Sequence, residues 1–147
     1  VTLIGSSLGG TLAVLAAERM SRVAQLVLLA PAVMFAKPGH HLLPPDRIES
    51  WRRQGSMPFF HYGYGDERPL AFAFYEDSLR YQPMDARVTQ PTLIFQGRRD
   101  ASVPFELVVE FATARPNVQL SLLDDDHSLV ASLPFIWERV APFLGLA

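Results

Sequence analysis

The sequence predicts an α/β fold in which a mostly parallel sheet is flanked by helices. Short apolar runs alternate with helical patterns in the order β-α-β, a long insertion, and then β-α-β-α. Strands that alternate with helices favour parallel neighbours, and the connecting helices then cover both faces of the sheet. The 147 residues are enough for one domain with a substantial core.

Three elements are predicted before the insertion. Residues 1–4 form a short apolar, partly β-branched run that stops at Gly5, which predicts the end of a buried strand. Residues 7–20 have apolar side chains at helical spacing with alanines nearly all round, so we expect a helix that is buried on most faces. Residues 25–30 form a continuous apolar run, typical of a parallel strand covered on both faces.

The composition changes between residues 31 and 90. This stretch holds most of the prolines, many aromatic residues and three of the four histidines. Short helices are predicted over residues 46–54 and 71–81, and we find no strong sheet pattern. We therefore interpret residues 31–90 as an insertion or lid within a domain that covers residues 1–147.

Regular α/β order returns at Pro91. Residues 92–96 predict an apolar strand, in which the preceding proline does not interrupt the hydrogen-bond ladder. Residues 104–114 predict a helix that begins with proline. Residues 118–123 alternate between apolar and polar, as in a half-exposed edge strand, and residues 133–144 predict a final amphipathic helix.

Composition and charge exclude several classes of function. The formal charge of −2 gives no reason to expect nucleic acid as a partner, and no apolar run is long enough to span a bilayer. The absence of cysteine excludes disulfides, thiolate metal sites and a cysteine nucleophile, and it fits a reducing compartment. We expect a cytoplasmic protein without a metal or a cofactor, and its oligomeric state stays open.

One motif indicates nucleophilic catalysis. Residues 5–9 read Gly-Ser-Ser-Leu-Gly, a G-x-S-x-G pattern that follows a strand and opens an alanine-rich helix. In this context the motif predicts a nucleophile elbow, in which Gly5 and Gly9 permit a tight turn and Ser7 stands exposed. The backbone N–H of Leu8 would then face a developing oxyanion. The alternative is that Ser7 only caps the helix.

The segment VTLIGSSLGG, residues 1–10, resembles the nucleophile elbow of α/β-hydrolases and, more loosely, of their small bacterial esterases. The resemblance implies that an acid and then a histidine follow, each after a strand. Asp100 ends a Gly-Arg-Arg-Asp turn shortly before Val-Pro, and His127 follows the last strand. Asp124, Asp125 and Asp126 are alternative acids beside His127, but we expect solvated loop residues there and prefer Asp100.

The resemblance implies a serine hydrolase, and we expect a carboxylesterase that acts on a small-molecule ester or acyl substrate. Acyl transfer, thioester cleavage or peptide cleavage by the same residues stays open, as does a non-catalytic binding module. Aromatic residues of the insertion either line a substrate pocket or form the core of the lid: Phe59, Phe60, Tyr62, Tyr64, Phe72, Phe74 and Tyr75. We expect surface positions for His40, His41 and His61.

The resemblance begins at the elbow, so we expect a truncated chain that corresponds to the C-terminal portion of such a hydrolase. The family carries further strands, and a loop with a second oxyanion donor, before this point. We therefore expect the first strand to present an open edge, a feature that favours pairing with another chain. The isolated chain should be aggregated, oligomeric or molten, with little esterase activity.

Overall fold

Strands and helices alternate along most of the chain in the computed structural model, which describes residues 1–34, 43–61 and 63–146. A short 3-10 helix covers Pro83–Asp85. In chain order the other elements are β1 (Thr2–Ser6), α1 (Leu8–Arg19), β2 (Gln25–Leu29), α2 (Pro45–Gln54), β3 (Ser56–His61), β4 (Asp66–Ala71), α3 (Phe72–Ser78), β5 (Thr92–Gly97), α4 (Phe105–Thr113), β6 (Val118–Leu123) and α5 (Leu133–Phe143).

The chain forms two compact units. One contains Val1–Met34 and Pro83–Ala147, and the other contains Phe35–Gln82. Residues 31–34 and 83–90, which their composition groups with the insertion, therefore belong to the first unit. Their aliphatic side chains explain this, because Val33, Met34 and Val88 are buried in the core of that unit.

A four-stranded parallel sheet in the order β1-β2-β5-β6 organises the first unit. All four strands lie where the apolar runs predict them, and β6 is an outer strand as its alternating pattern indicates. On its other side the described sheet ends at β1, in which Ile4 is 59% exposed. Because parallel strands end at the same edge, the loops that follow β1, β5 and β6 meet there.

Both faces of the sheet are covered, which confirms the predicted fold class. Val14 of α1 and Val108 of α4 are buried in the cluster on one face. On the other face Ile136 and Val140 of α5 pack against Val27 and other strand residues. Full burial of one such aliphatic side chain contributes about 1.5–3 kcal/mol relative to exposure, so these faces fix the helices on the sheet.

The helix α1 buries a different side from the one its leucines suggest. Leu12 is 61% exposed and Leu8 is 38% exposed, so the prediction of burial on most faces is wrong. The buried side instead carries small residues, among them Gly10, Ala13 and Ala17. Small side chains let a helix approach a sheet closely, and this close approach decides which face turns inward.

The second unit contains an antiparallel hairpin of β3 and β4 that the sequence analysis did not predict. Pro58 of β3 lies opposite Pro69 of β4. Proline cannot donate to a ladder, so two prolines obscure the strand pattern in the sequence. Such residues are tolerated here because the hairpin is a separate two-stranded sheet in which both strands are edges.

Aromatic packing around Trp51 stabilises the second unit. Trp51 is 1% exposed, and its ring centroid lies 4.8 Å from that of Phe59, 5.6 Å from that of Phe72 and 5.7 Å from that of Tyr75. Its indole Nε1–H donates to the carbonyl of Leu70 at 2.8 Å. These aromatic residues therefore form a core of their own unit.

Other aromatic residues of this unit lie at its surface. Phe60 is 56% exposed and Tyr64 is 70% exposed. His61 is exposed, as expected, and its ring centroid lies 4.7 Å from that of Tyr64. The positions predicted for His40, His41 and Tyr62 lie outside the described residues.

Close packing between β1 and α1 yields a prediction about three glycines. A Cβ atom on Gly5 would lie closer than 3.0 Å to backbone atoms of Gly9 and Gly10, and one on Gly10 would lie 2.6 Å from the Pro31 Cβ. A Cβ on Gly9 would meet nothing within 4 Å. The sequence analysis expected close packing to require glycine at position 9, but the structure requires it at position 10 instead.

We expect Gly5→Ala and Gly10→Ala each to lower the free energy of unfolding by about 1–3 kcal/mol, because overpacking forces the backbone apart. Gly9→Ala should be neutral or stabilising by up to about 1 kcal/mol, since alanine is the better helix former. Urea unfolding of the three variants measures these differences. Equal destabilisation at positions 5 and 9 would contradict the assigned contacts.

Candidate active site

The turn between β1 and α1 holds Ser7 in a conformation that is rare for any residue other than glycine. Its φ is 51° and its ψ is −119°. Such backbone strain costs about 1–3 kcal/mol and persists only where the surroundings enforce it. Here the Ser7 N–H donates to the Leu29 carbonyl at 2.9 Å, and the Ser7 carbonyl accepts from the Ala32 N–H at 3.1 Å.

The Ser7 hydroxyl does not cap the helix. It makes no side-chain hydrogen bond to the N-terminus of α1. Its Oγ lies instead 3.1 Å from the Nε2 atom of His127, a residue 120 positions away in the chain. The strained turn therefore directs the hydroxyl toward the end of β6 rather than toward its own helix.

Asp100 lies in the turn after β5, where its carboxylate is surrounded by donors. The Oδ1 atom accepts from the backbone N–H groups of Ser102 and Val103, both at 2.8 Å. The Oδ2 atom lies 2.9 Å from the Nε2 atom of Gln96, which donates to it, and 2.8 Å from the Nδ1 atom of His127. The carboxylate thus has a partner for each of its principal acceptor positions.

These hydrogen bonds keep Asp100 ionised. Burial by itself would raise the pKa of the carboxyl group, whose side chain is fully buried. The bonds from His127, Val103, Gln96 and Ser102 outweigh burial, so the pKa lies below its ordinary value. At neutral pH the negatively charged Asp100 carboxylate therefore lies beside the Nδ1 atom of His127.

His127 connects the other two side chains. Its side chain is 16% exposed, and the ring bridges Asp100 Oδ2 and Ser7 Oγ. An ionised carboxylate can only accept, so the Nδ1 atom carries the proton and the Nε2 atom of the neutral ring accepts from the hydroxyl. The structure thus brings together the three side chains that the sequence analysis selected, with geometry suited to proton transfer from Ser7.

The acidic residues before His127 have other partners. Asp126 is exposed, and its Oδ1 atom accepts from the Ser128 N–H at 2.8 Å and from the Ser128 hydroxyl at 2.5 Å. Asp124 is exposed and pairs with Arg99. The preference for Asp100 over Asp126 as the partner of His127 Nδ1 agrees with these contacts.

Asp125 is not the solvated residue that the sequence analysis expects. It is 4% exposed, and its Oδ2 atom accepts from the Ser132 N–H at 2.8 Å. Its carbonyl accepts from the Arg99 N–H at 3.0 Å, which joins the His127 loop to the Asp100 turn. The sequence gives no signal that Asp125 is buried, since it is one of three consecutive aspartates. Its burial depends on contacts between the loop after β6 and the loop after β5, which are distant in sequence.

Two further site neighbours were missed by the sequence analysis. Gln96 is fully buried in β5 and contacts Asp100, and its signal is a lone polar side chain in an apolar strand. Gly97 allows the two loops to meet, since a Cβ there would lie closer than 3.0 Å to the Asp125 and Asp126 carbonyls. Gly97 is the first residue of the predicted Gly-Arg-Arg-Asp turn, and this place is the corresponding signal.

The described part of the chain shows no arrangement for a metal ion. Among those residues no group of three or more histidine, aspartate or glutamate side chains lies close enough to bind one. The described helices also include none with the length and apolarity needed to cross a bilayer.

Residues 1–143 match the model of the uncharacterised protein family UPF0227, and the chain belongs to this family. No curated protein matches the sequence. Many solved structures do, among them a protein described as α/β-hydrolase domain-containing and one described as a hydrolase.

Mouse α/β hydrolase domain-containing protein 10 is 23% identical with a TM-score of 0.80, and the match covers 98% of this chain and 61% of that one. Est1E from Butyrivibrio proteoclasticus, solved with ferulic acid, is 26% identical with a TM-score of 0.78, and the match covers 96% of this chain and 57% of that one. A candidate hydrolase from Agrobacterium vitis S4 is 25% identical with a TM-score of 0.78, and the match covers 97% and 59%. The chain therefore has the α/β-hydrolase fold and spans about three fifths of the length of these proteins.

The buried Asp125 generates a prediction about pH and stability. The hydrogen bond from Ser132, opposed by burial and helped by the backbone of Asp126, places its pKa below the ordinary value. A carboxyl group whose pKa is depressed by folding stabilises the protein above its unfolded pKa, and this contribution is lost as the pH falls. Asp125→Asn should therefore lower stability more at pH 7 than at about pH 3, below the ordinary aspartate pKa of about 3.9.

Denaturant unfolding at both pH values measures this difference. Asp124→Asn is the matched control, because it removes the same charge from an exposed neighbour and should change stability little at either pH. A loss of stability in Asp125→Asn that is the same at both pH values would contradict the assignment.

Proposed function

We propose that this protein is a serine hydrolase, and specifically a carboxylesterase, in which Ser7 is the nucleophile, His127 the general base and Asp100 the orienting acid. The observation that carries the proposal is the line of two contacts, 3.1 Å from Ser7 to His127 and 2.8 Å from His127 to Asp100. The strained Ser7 backbone supports it, because a strained strand-to-helix turn is the feature that exposes a nucleophile in this fold.

The proposed reaction proceeds through an acyl-enzyme. The Ser7 Oγ attacks the ester carbonyl carbon while its proton passes to the His127 Nε2 atom. The tetrahedral intermediate collapses, the C–O bond to the alcohol breaks, and the imidazolium returns the proton to the leaving oxygen. Water then attacks the acyl-enzyme with His127 as base, which releases the carboxylic acid and restores Ser7. Asp100 stabilises the imidazolium in both halves.

Leu8 would stabilise the negative charge that develops on the carbonyl oxygen. It is the first residue of α1, so its N–H is among the N-terminal amides that have no acceptor within the helix. Such a group adds a hydrogen bond and the positive end of the helix dipole beside the nucleophile. We propose Leu8 N–H as one donor of the oxyanion hole.

An ester is the substrate class that the comparisons favour. Est1E, 26% identical over 96% of this chain, was solved with ferulic acid bound, which is the acid that hydrolysis of a feruloyl ester would release. Aryl and alkyl esters, with a feruloyl ester among them, therefore form the first substrate panel. The same panel should include thioesters and peptides, which the same three side chains are chemically able to cleave.

The first test concerns Ser7. In the intact protein a fluorophosphonate should form a bond to the Ser7 Oγ with loss of fluoride, and Ser7→Ala should abolish both labelling and ester turnover. Ser6→Ala is the matched control, since it removes the neighbouring hydroxyl and should leave labelling in place. Mass spectrometry of the labelled peptide identifies the site, and labelling that survives in Ser7→Ala would refute the assignment.

The second test concerns the acid. Asp100→Asn should lower kcat by about a thousandfold or more, because an amide can hold the wrong tautomer of His127. Asp126→Asn removes the same charge from the residue next to His127 and should do far less. Only the neutral ring of His127 acts as a base, so turnover of the unmutated protein should be lower in acid than at neutral pH. Equal losses in the two variants would mean that Asp100 is not the acid.

A further inference from the structure

Gln96 is a buried polar residue whose hydrogen bonds converge behind Asp100. It lies in β5, between the apolar Phe95 and Gly97, and is fully buried. Its Nε2 atom lies 2.9 Å from Asp100 Oδ2, 3.2 Å from the Gly97 carbonyl and 3.2 Å from the Val103 carbonyl. All three neighbours are acceptors, so the amide nitrogen must face them.

The other end of the same amide, its carbonyl oxygen Oε1, differs from the nitrogen. The Gln96 Oε1 atom is buried and has no hydrogen-bond partner among the described residues. A buried acceptor without a partner is destabilising, and an apolar side chain of the same length would avoid this cost. The unpaired Oε1 atom therefore lowers the stability of the fold, whereas the Nε2 atom supplies a hydrogen-bond donor to Asp100.

We infer that Gln96 is a positioning residue that holds the Asp100 carboxylate in the orientation that His127 requires; this inference rests on the proposed function. Among the described residues the Oδ2 atom has Gln96 Nε2 and His127 Nδ1 as partners. The backbone bonds from Ser102 and Val103 both reach Oδ1, so within this set Gln96 alone fixes Oδ2 independently of the ring. Gln96 thereby fixes the position of the Oδ2 atom that accepts the hydrogen bond from the His127 ring.

The hydrogen bond from Gln96 also reduces the negative charge on the Asp100 oxygen that faces His127. An N–H donor to Oδ2 draws negative charge away from the side of the carboxylate that faces the imidazolium. Removing this donor should stabilise the protonated ring, so that a higher pH is needed to free the base. Loss of Gln96 therefore predicts a change in the pH profile, which a purely structural role would not produce.

The principal test replaces Gln96 by a residue of similar length without a donor. In the intact protein Gln96→Met should lower kcat for an ester about tenfold or more with KM unchanged, the order expected for one hydrogen bond to a charged group. The acid limb of the kcat/KM profile should move to higher pH. Rates are normalised to the sites that react with a fluorophosphonate, so that loss of folded protein does not count as loss of catalysis.

Gln90→Met is the matched control. Gln90 precedes the same strand at its opposite end, and its Nε2 atom donates to the Ala17 carbonyl at 2.9 Å. This variant also loses a glutamine hydrogen bond, but it should change neither kcat per labelled site nor the pH profile. A Gln96→Met protein with the kcat and pH profile of the unmutated protein would overturn the inference.

A measurement on the unmutated protein tests the contact without a variant and without turnover. In ¹H–¹⁵N spectra the side-chain amide of Gln96 should shift over a pH titration of the protein, whereas that of Gln90 should not. A Gln96 amide that does not respond to this titration would refute the inference. A protein that hydrolyses no ester but shows the response would retain the positioning contact and lose the proposed function, so the two failures are distinguishable.

Discussion

A buried carboxylate is the constraint on which the surroundings of Ser7 depend. The Asp100 side chain is fully buried and its pKa is low, so it carries charge in a place that water does not reach. Removing an ion from water costs several kcal/mol unless other donors replace the water. These donors come from the Asp100 turn itself, from Gln96 in β5 and from His127 after β6. Three segments must therefore keep their positions together for the charge to be tolerated.

Close backbone contacts make this arrangement sterically feasible. Gly97 leaves room for the carbonyls of the His127 loop, and Gly5 leaves room for the first turn of α1. The Arg98 N–H donates to the Leu123 carbonyl at the end of β6 at 2.8 Å, and the Arg99 N–H donates to the Asp125 carbonyl just beyond it at 3.0 Å. The Asp100 turn and the His127 loop are thus joined through main-chain hydrogen bonds, so the distance between them does not depend on exposed side chains.

The fold and the site support different parts of the interpretation. Membership of UPF0227 and similarity to α/β-hydrolases define the architecture, and this architecture hosts many unrelated activities. The proposed esterase function depends instead on the Ser7 conformation and on the two contacts of His127. A serine with a capping role would have relaxed geometry and a hydroxyl turned to its own helix, and neither is the case here.

The sequence by itself determined the order along the chain of the strands and helices that form the parallel-sheet unit. It also selected Ser7, Asp100 and His127, because apolar runs and glycine-rich turns are local patterns. Only the tertiary structure decided which of these side chains meet, since His127 and Ser7 lie 120 positions apart in the chain. It also decided that Asp125 is buried and that Gln96 donates to Asp100. The physical reason is that burial and hydrogen bonding of a polar side chain depend on atoms from distant segments, which no local spacing specifies.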